Sequence, residues 1–124
     1  MCSTVPIRRN FEFLRAYRKG RFFAGKFIIL YVYKNSYRVK RLGITISRKF
    51  GKSVRRNRLR RLIKENYRHY ENSLKDGFDL VFIARKQDIM PEYKDIGKEM
   101  KFLFKKLDVL RDDGQECKRE AGDA

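Results

Sequence analysis

Between Ser47 and Glu65 the chain reads SRKFGKSVRRNRLRRLIKE, in which nine cations (Arg48, Lys49, Lys52, Arg55, Arg56, Arg58, Arg60, Arg61 and Lys64) precede a single acid. From Lys52 to Asn72 there is no glycine or proline, and Leu59, Leu62, Ile63, Tyr67 and Tyr70 recur at three- and four-residue spacing. That pattern predicts a long amphipathic helix over 52–72, with Ser53 placed to cap it. At about 100° per residue the apolar stripe leaves Asn57, Arg61, Lys64 and Arg68 on the opposite side, with Arg58 and Arg60 on the flanks. A solvated helix relieves its bases with acids four residues away. This one does not, and cations in its first turn oppose the helix dipole at about 0.3 kcal/mol or more each. A polyanionic partner offsets that cost.

The charge of the whole chain points the same way. Of its 124 residues, the first 64 hold twenty Lys or Arg against one acid, Glu12, while the remaining 60 hold twelve bases against fourteen acids. The net charge of +17 therefore belongs to the first half, and nucleic acid is the leading partner, ahead of an anionic membrane surface. Five arginines and no lysine between 55 and 61 suit fixed, planar phosphate contacts better than a diffuse membrane patch. With 42% hydrophobic residues the chain has material for one core, and its length suits one domain, expected over 1–110. The longest apolar run, FIILYVY, is strand-sized, far short of the roughly 18 residues of a membrane span. MCSTVPIRRN is no secretory signal, so a cytoplasmic location is expected. Cys2 and Cys117 lack zinc or redox spacing and are expected as free thiols.

Along the chain, Asn10 precedes FEFLRAYRK and Gly20 follows it, predicting an N-cap, a helix over 10–19 and a glycine stop. Strand-forming residues follow, with a bend at Ala24-Gly25, a strand over 26–33, a turn at 34–36 and a strand over 38–47 in which Leu42, Ile44 and Ile46 alternate with small or polar residues. After the basic helix, Asp76-Gly77 marks a turn and FDLVFIA a buried strand. Pro91 opens a last helix, running to about 110 on Ile96, Met100, Leu103, Phe104, Leu107 and Leu110. Residues 111–124 have no apolar pattern and read as a disordered tail. The fold class is α+β: three helices and a mixed four-stranded sheet in the order α-β-β-β-α-β-α.

A second feature is aromatic. Phe13 and Tyr17 lie one helical turn apart beside Arg15, Arg18 and Lys19, and the next long strand places Phe27, Ile29, Tyr31 and Tyr33 on one face. Core packing and a platform for unpaired bases both fit that arrangement, and the sequence leaves the choice open. Groove-reading helices do not fit. A helix-turn-helix needs a second short helix and a basic zipper needs heptads, whereas a turn and a strand follow here.

The stretch LGITISRKFGKSVRRNRLRRLIKE resembles the signature of the bacterial ribonuclease P protein component, centred on Arg56-Asn57-Arg58. The resemblance runs over about residues 7–110, through the Phe13/Tyr17 helix, the strand with Tyr31, and FDLVFIARK. It implies a domain like the second domain of certain ribosomal proteins, with a left-handed crossover through the basic helix. It implies partnership with a catalytic RNA that removes the 5′ leader of precursor tRNA using bound Mg2+, in a 1:1 complex with a monomeric protein and no membrane role. By position, Arg48, Lys49, Lys52, Arg56, Asn57, Arg58, Arg60, Arg61, Lys64 and Arg68 match the surface that meets the RNA subunit. Phe13, Tyr17 and Tyr31, with Thr45 and Ser47, match the cleft that holds the leader; Tyr17 stands where many relatives have Phe.

A protein nuclease needs clustered carboxylates for metals or a histidine pair. The basic half offers one acid, and the only histidine, His69, lies on the polar flank of the long helix. Asp79, Asp88 and Glu92 are expected as caps. Neither a protein catalytic residue nor a protein-held metal is therefore expected, and a ribosomal protein or general RNA chaperone remains the competing class.

Overall fold

A computed structural model describes residues 4–86 and 89–111. Cys2, Cys117, Asp88 and all but the first residue of the expected tail lie outside them. The elements are β1 (Thr4–Pro6), α1 (Asn10–Lys19), β2 (Arg21–Ala24), β3 (Ile28–Lys34), β4 (Lys40–Thr45), α2 (Ser53–Tyr70), β5 (Phe78–Ala84) and α3 (Tyr93–Lys106), with short 3-10 turns at Arg48–Phe50 and Glu71–Ser73. The strands form one mixed sheet in the order β1-β4-β5-β3-β2. β4 and β5 are parallel neighbours joined by α2; β3 pairs antiparallel with both β5 and β2.

The α+β class and three helices are as expected, but the sheet has five strands rather than four. The additional strand, β1, runs parallel to β4 with Thr4 opposite Lys40 and Pro6 opposite Leu42. Three residues ending in proline show no alternation, and an edge is where a sheet accepts proline. The first helix spans 10–19 as expected, but two helix caps differ by one residue. Arg9, not Asn10, is the extended residue before α1, and its N–H is met by the Glu12 carboxylate at 3.4 Å. Lys52, not Ser53, holds that place for α2. α3 begins at Tyr93, two residues after Pro91, and ends at Lys106; Leu110 instead bridges to Leu74.

Alternation along β3 sorts the two faces of the sheet. Ile28, Leu30 and Val32 are buried against α2 and α3, while Ile29, Tyr31 and Tyr33 are half-buried on the α1 side. Phe27 departs from that register: it precedes the strand and packs against the main core. There Leu59, Ile63 and Tyr67 of α2 meet Ile96, Met100, Leu103 and Phe104 of α3 over Leu80 and Phe82. Asn66, buried between the helices, donates to the Leu62 and Tyr93 carbonyls at 3.0 Å each, so its amide is not left unsatisfied. The fully buried Lys40 is neutralised by Asp76 of the Asp76-Gly77 turn at 2.9 Å.

Candidate nucleic-acid interface

The side of α2 away from the core carries Asn57, Arg58, Arg61, Lys64 and Arg68, all exposed. From Asn57 to Arg68 the helix rises about 16 Å. Just before it, Ser47 accepts the Lys49 N–H at 3.1 Å, which shapes the 3-10 turn that exposes Arg48 and Lys49, with Lys52 exposed beyond. Among the described residues none of these cations joins an ion pair. Two flanking arginines are anchored instead: Arg56 donates to the Gly51 carbonyl at 3.1 Å and Arg60 to the Ile44 carbonyl at 3.0 Å. Each bond uses part of a five-donor fork and fixes the direction of the remainder. His69 is exposed and meets the Tyr70 ring edge-on.

Across the sheet, α1 lays Phe13 and Tyr17 over β3, β4 and β5. A Cβ on Gly43 would come within 2.5 Å of the Phe13 ring, so the missing side chain lets that ring lie directly on the strand backbone. Tyr17 meets Tyr31 edge-on at 5.0 Å, and its hydroxyl lies 3.2 Å from Thr45 Oγ1. Phe13, Tyr17 and Tyr31 are each half-buried around a small cluster of Ile7, Ala16 and Val81. They thus pack and present ring surface at once. Ser47 lies two residues beyond the end of β4, exposed, with its hydroxyl accepting the Lys49 N–H.

Buried charge holds α1 in place. Arg41 of β4 reaches Glu12 at 2.5 Å and Asp79 at 3.8 Å; Asp79 also meets Arg15 at 3.4 Å and Asn35 at 2.7 Å. The Arg41 hydrogen bond holds the Glu12 carboxyl below its ordinary range, outweighing the burial that pushes it up. Asp79 is therefore a fully buried partner of two cations, not the cap expected from its place near a strand end. Glu92 does stand at the start of α3, where its N–H donates to Asp95. Among the described residues no group of three or more His, Cys, Asp or Glu is arranged to hold a metal.

The two surfaces meet at the edge of β4 beyond the end of β1. A groove of about 420 Å³ lies there, lined by Phe13 and Gly43 on one side and by Arg60, Lys64 and Arg68 on the other. The ribonuclease P family model matches residues 1–108. The chain belongs to the ribonuclease P protein family. It is 47% identical over 104 residues to the ribonuclease P protein component of Clostridium botulinum strain 657, covering 83% of this chain and 94% of that one. To the Clostridioides difficile strain 630 component it is 41% identical, covering 86% and 94%. The Staphylococcus aureus RNase P protein structure aligns with a TM-score of 0.79 at 28% identity, over 88% of this chain and all of that one. The Thermotoga maritima RNase P protein aligns at 0.71 and 28%, over 81% and 96%.

Within this ribonuclease P family member, sequence reasoning missed one aromatic on the α1 face. Phe22 of β2 stacks on Tyr31 at 5.1 Å and is 58% exposed. Only the pairing of β2 with β3, which sets Phe22 opposite Tyr31, brings it there. Gly43, an isolated glycine between Leu42 and Ile44, was the available signal for the close approach of Phe13.

Proposed function

We propose that this chain is the RNA-binding protein subunit of a ribonucleoprotein endoribonuclease that removes the 5′ leader of precursor tRNA. One observation carries the reading: an unpaired row of cations on α2 and a half-buried aromatic cluster on the far side of the sheet adjoin a single groove at the β4 edge. The cationic row suits the phosphates of a folded RNA, where release of counterions supplies the binding energy. The aromatic cluster suits an unpaired strand, whose bases stack on rings without sequence preference. In this reading Arg48, Lys49, Lys52, Asn57, Arg58, Arg61, Lys64 and Arg68, with the anchored Arg56 and Arg60, meet the catalytic RNA. Phe13, Tyr17, Tyr31 and Thr45, joined by Phe22, meet the leader.

The chemistry is assigned to the RNA and the Mg2+ it binds. The carboxylates of the α1 face, Glu12 and Asp79, are neutralised by Arg41 and Arg15, which leaves them poorly suited to hold a metal or take a proton. The protein acts as one copy per RNA, in the cytoplasm; no helix among the described residues is long and apolar enough to cross a membrane. Sequencing the RNA that copurifies with the full chain from its own cells tests this reading. The expected product is one abundant structured RNA together with tRNA precursors. Ribosomal RNA as the major partner would contradict it and favour a ribosomal or chaperone role.

A further inference from the structure

Strand β2 carries an aromatic residue on each face of the sheet. Neighbouring strand residues point to opposite sides; Phe22 stacks on Tyr31, and Phe23 meets Phe102 of α3 edge-on at 5.7 Å. Phe23 is 38% exposed and Phe102 45%, although the core of α3 is already filled by Met100, Leu103 and Phe104. The Lys106 ammonium lies 5.8 Å from the Phe23 ring centre and 5.6 Å from that of Phe102.

The helix around Phe102 is cationic in the manner of α2. Lys94, Lys98, Phe102 and Lys106 fall on one row at four-residue intervals, and Lys101 and Lys105 on another. Like charges so spaced repel, and among the described residues none of these lysines is in an ion pair. The acids on this side are engaged: Glu99 accepts the N–H groups of Lys26, Phe27 and Ile28, and Asp95 accepts that of Glu92. Exposed rings among unrelieved lysines call for a partner that is both anionic and flat-faced.

We propose that the β2–α3 edge is a second binding surface for single-stranded RNA, with bases stacking on Phe23 and Phe102 and phosphates following Lys98, Lys101, Lys105 and Lys106. Charge complementarity selects this occupant. A second copy of the chain docked through the same edge would set the α3 lysines against their own kind, and duplex RNA hides the base faces that the rings need. Since Phe22 and Phe23 are consecutive, a strand leaving Tyr31 and Phe22 reaches the second surface by turning around the sheet edge at β2. This continuity, though not the surface itself, rests on reading the α1 face as a single-strand site.

Fluorescence anisotropy with the full chain and unstructured oligouridylates of about five and about twelve nucleotides, within the range of single-strand site sizes, tests the proposal. The Phe23→Ser/Phe102→Ser variant is expected to lose at least about tenfold in affinity for the longer strand, since losing the stacking on one of its two rings already costs about that much. The Lys98→Gln/Lys106→Gln variant, which leaves both rings in place, is expected to lower the salt slope by about 1.4. An unchanged affinity and slope for the longer strand in both variants would overturn the proposal. So would a change confined to self-association in sedimentation. Tyr31→Ala separates the two readings: if it alters neither length while the Phe23/Phe102 variant weakens the longer strand, the α1-face assignment fails and the second surface stands.

Discussion

Tyr31 is held between two rings, Tyr17 edge-on at 5.0 Å and Phe22 stacked at 5.1 Å. That support fixes its ring before any partner arrives, so little conformational freedom is lost on binding. Arg61 is its opposite: an exposed cation on α2, outside every ion pair among the described residues, whose contribution is charge. The two substitutions should separate accordingly. Tyr31→Ala is expected to weaken leader binding by about 1–3 kcal/mol while leaving affinity for the RNA subunit intact. Arg61→Ala should weaken RNA-subunit binding and reduce its salt slope by about one unit, with stability changed by less than about 0.5 kcal/mol. Filter binding of both variants to each RNA over a salt series measures this, and identical defects would contradict two separate surfaces. Asn57, Arg61, Lys64 and Arg68 were legible in the sequence because helical spacing alone fixes which side chains share a face. Phe22 and Asp79 were not, since their partners lie on other parts of the chain brought alongside by folding.

Among the elements, α3 does more than fill the core. Its Glu99 carboxylate accepts three successive backbone N–H groups, from Lys26, Phe27 and Ile28, at 2.7–2.8 Å. It thereby ties the β2–β3 connection to the helix, and a Cβ on Gly25 would collide with it at 2.4 Å. Because β2 supplies Phe22 and Phe23, this clasp positions rings on both faces of the sheet. Glu99→Ala strands those donors and is expected to cost about 1–3 kcal/mol, read as a fall of several degrees in thermal midpoint. Glu99→Gln, which keeps one amide oxygen, should lose less. The helices and the long strands were legible from periodicity, and their centres lie where expected. Their caps were not: Arg9, whose N–H the Glu12 carboxylate accepts, and Lys52 take the cap positions because backbone conformation decides them. β1 escaped notice because three edge residues gain strand geometry only from β4.

At the scale of the molecule, the sheet separates a cationic surface from an aromatic one. α2 and α3 cover one face and turn cations outward; α1 covers part of the other and leaves rings half-open. The excess positive charge of the first half could be read from composition, as could the presence of one core. What composition could not supply was the arrangement: the groove that joins Phe13 to Arg60, Lys64 and Arg68 forms where β1, α1 and α2, from separate parts of the chain, come together along β4. The central claim is that one small protein bridges a catalytic RNA and the leader of its substrate. Reconstitution with the cognate RNA at low Mg2+, using precursor tRNAs of graded leader length, tests it most directly. The account predicts that the protein restores leader removal and that substrate affinity rises with leader length until the aromatic face is filled. Cleavage and affinity unchanged by adding the protein, at every leader length, would contradict it.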